Sequence, residues 1–369
     1  MDAESSTSDE LITTFFLLLA LLVDPMQAAQ GPAQTWVQGR CAGCRYPFQL
    51  DDLQFVNETE GWATGFVVQV TEAHASQMTT ILHTTDGGRT WTPVKHAEAY
   101  GLEAGPAFSF LDARHGWAAW TVATDGTAQM LRTSDGGRRW HKTAVNDEGL
   151  WTHLRFVDAQ RGYGVTSTVD GGRFLVTRDG GTTWSSKPID AGYPRALVFL
   201  NPEIGWVAAS AGDAGVSRPH VLRTSDGGRT WSGATFPGGL RGETHDLFFL
   251  DAERGWMILG NAGQDASALL QTTDGGRTWT RLSVAGLAGP GTRINAVRFL
   301  SDQTGFVFID DVTETPAGEP LTSDAAVLST RDGGRSWARV ALQAPVRSCQ
   351  VVGPDVWCSS GMNILKLRP

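Results

Sequence analysis

The chain has 369 residues and a formal net charge of −9, from 30 Lys and Arg against 39 Asp and Glu. That balance excludes the basic footprint of a nucleic-acid-binding protein, and 41% hydrophobic with 19% charged residues excludes a disordered or fibrous chain. The 44 glycines, about 12% of the chain against an average near 7%, and the 14 tryptophans indicate something repeated.

Residues 11–23, LITTFFLLLALLV, form an uncharged apolar run too short to span a bilayer comfortably but right for the hydrophobic stretch of a signal peptide. Ala28 and Ala29 supply small residues for a cleavage site. The ten residues before the run depart from the pattern, carrying Asp2, Glu4, Asp9 and Glu10 and no Lys or Arg. Residues 1–30 are therefore expected to be a signal peptide or a membrane anchor held through 11–23, and the protein to be exported to a periplasmic or other extracytoplasmic space. Residues 31–369 are expected to form one domain.

Six copies of an octad follow: TTDGGRTW at 84–91, TSDGGRRW at 133–140, TRDGGTTW at 177–184, TSDGGRTW at 224–231, TTDGGRTW at 272–279 and TRDGGRSW at 330–337. A second motif runs in phase: LQFVNETEGW at 53–62, FSFLDARHGW at 108–117, LRFVDAQRGY at 154–163, LVFLNPEIGW at 197–206, LFFLDAERGW at 247–256 and VRFLSDQTGF at 297–306, with a shortened seventh copy, CQVVGPDVW, at 349–357. Twelve of the 14 tryptophans fall in these motifs or in an N-terminal echo at Trp36, so the aromatic excess belongs to the repeat. Short strands punctuated by Gly and Asp turns, without helical periodicity, predict an all-β, seven-bladed propeller of four-stranded blades. Seven first strands meet only six DGG turns; residues 34–38 are expected to supply the missing fourth strand to the C-terminal blade and close the ring.

The octad resembles the Asp-box, or bacterial neuraminidase repeat, and the two motifs in phase over seven blades are most similar to the photosystem II assembly/stability factor family, across residues 34–369. That resemblance implies a non-enzymatic scaffold whose client is a protein, such as a membrane-protein assembly intermediate of photosynthesis, at a membrane surface. A secreted carbohydrate-binding or sialidase-like glycoside-hydrolysing propeller is the alternative, with a glycan as ligand. The Arg-Ile-Pro segment and Tyr-Glu pair that a sialidase of this type would show are not recognisable, and no cofactor or metal motif appears. A monomer is expected.

Asp86, Asp135, Asp179, Asp226, Asp274 and Asp332 lie one per blade, too far apart to share an ion. They are read as turn-forming residues that accept backbone amides, ahead of glycines at positive φ. The arginines after the DGG triplets (Arg89, Arg138, Arg229, Arg277 and Arg335) put a basic residue on five rim turns, with turn solvation as their reading and an acidic membrane partner as the rival. Candidate binding residues are those placed in loops on the opposite, channel-side face, just before first strands: His153, Tyr193, Arg195, His245, Asp246, Arg293 and Asn295, with Trp151 and Arg241 beside them.

The cysteines concern closure. With Gly353 and Pro354 as a turn, Gln350 faces Trp357 and Cys349 faces Cys358 at a non-hydrogen-bonded position. Cys41 and Cys44 follow the N-terminal strand, so all four are assigned to the closing blade. In an exported chain disulfides are the default; three connectivities are open, and a four-cysteine zinc site is the rival.

Overall fold

The computed structural model describes residues 31–44, 48–70, 75–96, 106–121, 128–145, 149–211, 217–260, 267–284, 287, 292–314 and 320–369. The expected signal peptide or anchor, residues 1–30, lies outside them. Among the described residues there is no helix, and none long and apolar enough to cross a membrane. Seven sheets, antiparallel except for one short edge strand, form a propeller ring. The innermost strands are Phe48–Phe55, Ala107–Phe110, Leu150–Phe156, Tyr193–Phe199, Glu243–Phe249, Thr292–Phe299 and Cys349–Val352.

Six of the seven blades start from one register. The motif Phe stands opposite the Gly of the Gly-aromatic pair: Phe55 with Gly61, Phe110 with Gly116, Phe156 with Gly162, Phe199 with Gly205, Phe249 with Gly255 and Phe299 with Gly305. The glycine leaves room for the ring, since a Cβ at Gly205 would meet the Phe199 ring at 2.6 Å. Its aromatic neighbour then reaches into the next blade. Trp62 stacks on Phe110 at 3.8 Å, Trp117 on Phe156 at 3.7 Å, Tyr163 on Phe199 at 3.7 Å, Trp206 on Phe249 at 3.5 Å and Trp256 on Phe299 at 3.7 Å. Trp62, Trp117 and Trp206 also donate their indole N–H to the carbonyls of Gly136, Gly180 and Gly275 in the next blade's DGG turn. Stacked ring and donated hydrogen bond together make these pairs the glue between blades.

The DGG turns are built alike. In the fourth blade the Thr224 hydroxyl donates to Asp226 Oδ1 at 2.8 Å and accepts the Gly228 amide at 2.8 Å, while Asp226 Oδ1 accepts the Thr230 amide at 2.9 Å. Gly227 and Gly228 sit at φ 72° and 79°, which a side chain would strain. The Gly227 amide reaches the Glu203 carbonyl in the turn between the first two strands, so both kinds of turn lie on one face. Strand connections two-to-three and blade-to-blade occupy the other. Burial pulls the Asp226 carboxyl upward, but hydrogen bonds from the Thr230 side chain and amide and from Thr224 outweigh it and hold the group at about 2. A lowered native pKa stabilises the fold fully above the ordinary carboxylate range, and that contribution is lost as pH falls toward 2. Asp226→Asn is expected to lower Tm at pH 7 by roughly 2–4 °C and to approach wild type at pH 2, as thermal melts across that range would show.

Ring closure follows the expected pairing. Ala33–Val37 lies antiparallel to Asn363–Arg368, from Ala33 opposite Arg368 to Val37 opposite Ile364. Gln350 faces Trp357 and Cys349 faces Cys358, and those two cysteines are disulfide-bonded, with Cα atoms 4.1 Å apart. Cys41 and Cys44 form a second disulfide, and here the assignment of all four cysteines to the closing blade is corrected. After Val37 the chain passes through Gly39, where a Cβ would lie 2.1 Å from the Met362 carbonyl oxygen. It then crosses to the first blade, where Arg40–Cys41 pairs parallel to Thr90–His96 as a fifth strand. The outer edge of that blade offered unpaired backbone groups, and the Arg40 and Ala42 amides take up the Arg89 and Trp91 carbonyls at 3.0 and 2.7 Å.

Candidate functional site

The innermost strands leave one backbone edge toward the channel, and side chains from neighbouring blades satisfy much of it. The Gln54 amide both donates to the Phe110 carbonyl and accepts its N–H, at 2.7 and 2.8 Å. Gln350 does the same for Phe55, at 2.9 and 2.6 Å, and the Ser109 hydroxyl accepts the Phe156 amide at 2.9 Å. Between the fifth and sixth blades, Asp246 Oδ2 accepts the Val297 amide at 3.1 Å and pairs with Arg298. Arg298 lies over the Phe248 ring and donates Nε–H to the Cys349 carbonyl of the seventh blade at 2.6 Å. Ser348 donates to Asp52 Oδ1 in the first blade, and Arg347 pairs with Asp51 at 2.9 Å. The surrounding protein raises Asp52 above the ordinary carboxylate range against Ser348, the Leu53 amide and Arg298, although the side chain itself remains open to solvent.

His153 reaches the same interior. Burial holds its imidazole at about 4, with Asp246 near enough to oppose the shift, and its Nδ1 is buried without a hydrogen-bond partner. The ring is thus neutral at pH 7.

Nearer the channel mouth the register of the first strand shifts. Single-residue bulges fall at Thr152, Arg195, His245 and Asn295, each four residues before the motif Phe, and in the first blade Asp51 and Asp52 together stand against the single residue Thr64. A bulge bends the strand and re-aims its side chain. Seven of the residues read as loop positions, His153, Tyr193, Arg195, His245, Asp246, Arg293 and Asn295, are therefore corrected to positions inside first strands. Pairing extends several residues ahead of the Leu-x-Phe triplet on which the reading relied. Arg195 pairs with Glu243 of the next blade at 3.0 Å, and partial desolvation by the surrounding protein lowers His245 despite Glu243 beside it, although the residue is exposed. Asn295 donates to Asp310 at 2.8 Å, where burial raises the carboxyl. Arg241 and Arg293 are exposed. Trp151, a candidate binding residue, is buried instead: it lies edge-on to Trp184 and fills the place that a side chain at Gly164 would need.

On the mouth between the third and fourth blades three apolar side chains are exposed, Leu150 at 42%, Val169 at 95% and Tyr193 at 54%. Leu150 pairs with Ser167, two residues before Val169, and Gly172 packs against Pro194, which follows Tyr193. The two-to-three connection of the third blade is only the turn at Val169 and Asp170, so among the described residues no long connection from that blade overhangs the trio. Sequence reading missed Asp52, Arg298 and Asp310, as well as Leu150 and Val169 of the apolar lip, of which it named only Tyr193. A usable signal was the polar residue just before the motif Phe or its equivalent, namely Gln54, Ser109, Arg155, Arg298 and Gln350 in an otherwise buried strand.

Among the described residues no cluster of His, Cys, Asp and Glu suits a metal ion. No protein-family model matches the sequence, and no curated protein does. Solved structures do. YCF48 bound to a D1 peptide superposes with TM-score 0.61 at 18% identity, covering 91% of this chain and 95% of that one. YCF48 from Cyanidioschyzon merolae matches with the same score, identity and coverage of this chain, and over 99% of its own. The GH74 xyloglucanase from Xanthomonas campestris scores 0.60 at 14% identity, over 90% of this chain but 53% of that enzyme. At such identities the likeness is one of fold: the chain is a seven-bladed propeller of the kind seen in YCF48, and the same architecture serves a glycoside hydrolase.

Proposed function

We propose that the protein is a non-enzymatic scaffold that holds a segment of a client protein at the channel mouth, on the extracytoplasmic side of a membrane, in the manner of photosystem II assembly/stability factors. The observation that carries this reading is the exposed trio Leu150, Val169 and Tyr193 beside Arg195. Three large apolar side chains gathered on one lip form a contact surface, and the arginines at 195, 241 and 293 suit an acidic or carbonyl-rich chain. YCF48 bound to a D1 peptide is a propeller of similar architecture in complex with a peptide, which supports this reading. Glycoside hydrolysis would require an acid and a base facing each other across an open cleft. Asp246 and Asp52 are instead tied to Arg298, Ser348 and backbone amides, which speaks for their role in joining blades.

Joint replacement of Leu150, Val169 and Tyr193 by Ser is expected to weaken client capture from native membranes at least about tenfold, with Tm unchanged. The Arg195→Ala, Arg241→Ala, Arg293→Ala triple variant is expected to do the same. Unaltered capture by both variants would refute the mouth as the site. Turnover of a sialoside or polysaccharide by the wild type would favour the carbohydrate reading instead.

A further inference from the structure

The two disulfides stand in opposite circumstances. Cys349 and Cys358 join the two inner strands of the seventh blade and are 3% and 0% exposed, enclosed with Val356, Leu365 and Leu367. Cys41 and Cys44 are only partly buried, packed against the core that the seventh and first blades share. Thiol–disulfide exchange needs an incoming thiolate to reach a sulfur atom. Only the Cys41–Cys44 pair offers that access. It also closes the shorter loop, with a sequence separation of 3 against 9, so it restrains the unfolded chain less and resists reduction less on that account.

This accessible bond sits on the strap that fastens the ring from outside. Ala33–Val37 belongs to the seventh blade, and Arg40–Cys41 belongs to the first. The second attachment is slight: two residues, two backbone hydrogen bonds, and one from Arg40 Nε to the Thr90 hydroxyl at 3.1 Å. A strand of that length is not stable alone. The disulfide fixes the turn through Ala42 and Gly43, the latter at φ 89°, and presses it against the core.

We propose that Cys41–Cys44 is a redox-operated clasp: a dithiol reductant opens it while Cys349–Cys358 stays closed, and opening releases the strap from the first blade. One thiolate of the reductant attacks a sulfur of the pair and forms a mixed disulfide, expelling the other cysteine as a thiolate that takes up a proton. The reductant's second thiol then displaces the first cysteine. Two electrons and two protons pass to the pair, and the reductant leaves as its own disulfide. The reverse exchange with an oxidised dithiol closes the clasp again.

The test uses the intact folded protein with both bonds formed, held in graded dithiothreitol, alkylated with iodoacetamide and mapped by peptide. The expected result is label on Cys41 and Cys44 alone, with tryptic cleavage after Arg40 accelerated about tenfold or more as the local attachment opens. The Cys41→Ser, Cys44→Ser variant is expected to show the faster cleavage without reductant and no further response to it. Reduction of both bonds together, only as the fold melts, would overturn the proposal. So would selective reduction that leaves cleavage after Arg40 unchanged. Both readings come from the wild type, so the outcome stands even if the variant folds poorly.

Discussion

Replacing Trp206 by Ala is expected to cost about 3–5 kcal/mol of stability, read as a lower midpoint in urea at an unchanged denaturant slope. Trp206 is fully buried, its ring lies 3.5 Å from that of Phe249 in the next blade, and its indole N–H donates at 2.8 Å to the Gly275 carbonyl of the next DGG turn. Truncation removes a stacked pair, opens a cavity between two sheets and leaves a buried carbonyl without its donor. Each loss falls on the same joint. The surrounding strands cannot collapse into the gap, because Phe249 is held from its other side by an edge contact with Trp279. Trp206→Phe keeps most of the stacking area and loses the donor, so it should cost about 1–3 kcal/mol. A Trp206→Ala variant as stable as wild type would refute the view that these pairs hold the blades together.

Removal of the closing strand has a comparable effect by a different route. A chain beginning at Gly39, compared with one beginning at Gly31, is expected to lose at least about 3–5 kcal/mol, from Val37 and the half-buried Trp36 alone. It should also self-associate, because Asn363–Arg368 becomes an unpaired edge. A peptide spanning residues 31–38, added in trans, should restore Tm and the monomer by adding back the strand. Calorimetry and light scattering with and without the peptide check both points, and equal stability of the two chains would show that closure rests on the inner seam.

The fold was legible because its causes are local. Leu-x-Phe, Gly-aromatic and DGG-x-x-Trp each fix a strand, a close approach or a turn within ten residues, and their repetition determines the ring. Closure was legible too, since residues 34–38 repeat the Thr-Trp strand that follows each DGG turn. The mouth was harder. A bulge adds a residue to one strand without any marker in composition, so Arg195 and His245 read as loop when they lie in paired strands. The bridge from Asp246 through Arg298 to Cys349 joins three blades and has no sequence spacing to betray it. Trp151 misled for the opposite reason. Its bed is the bare backbone of Gly164, a complement visible only once the strands are paired. The strap likewise followed an unfilled sheet edge in the first blade, which no motif in residues 38–44 announces.

The pairing of Ala33 with Arg368 joins the first and the last strand of the ring. During synthesis the first-made strand of the ring must therefore wait, unpaired, until Asn363–Arg368 emerges. Native contacts of such sequence separation are slow to form, and an open sheet edge in the interval invites association with other chains. Assembly of this ring is thus a race in which the earliest segment finishes last. Whatever keeps that segment occupied while the seven blades form has as much bearing on the yield of folded protein as the stability of the finished ring.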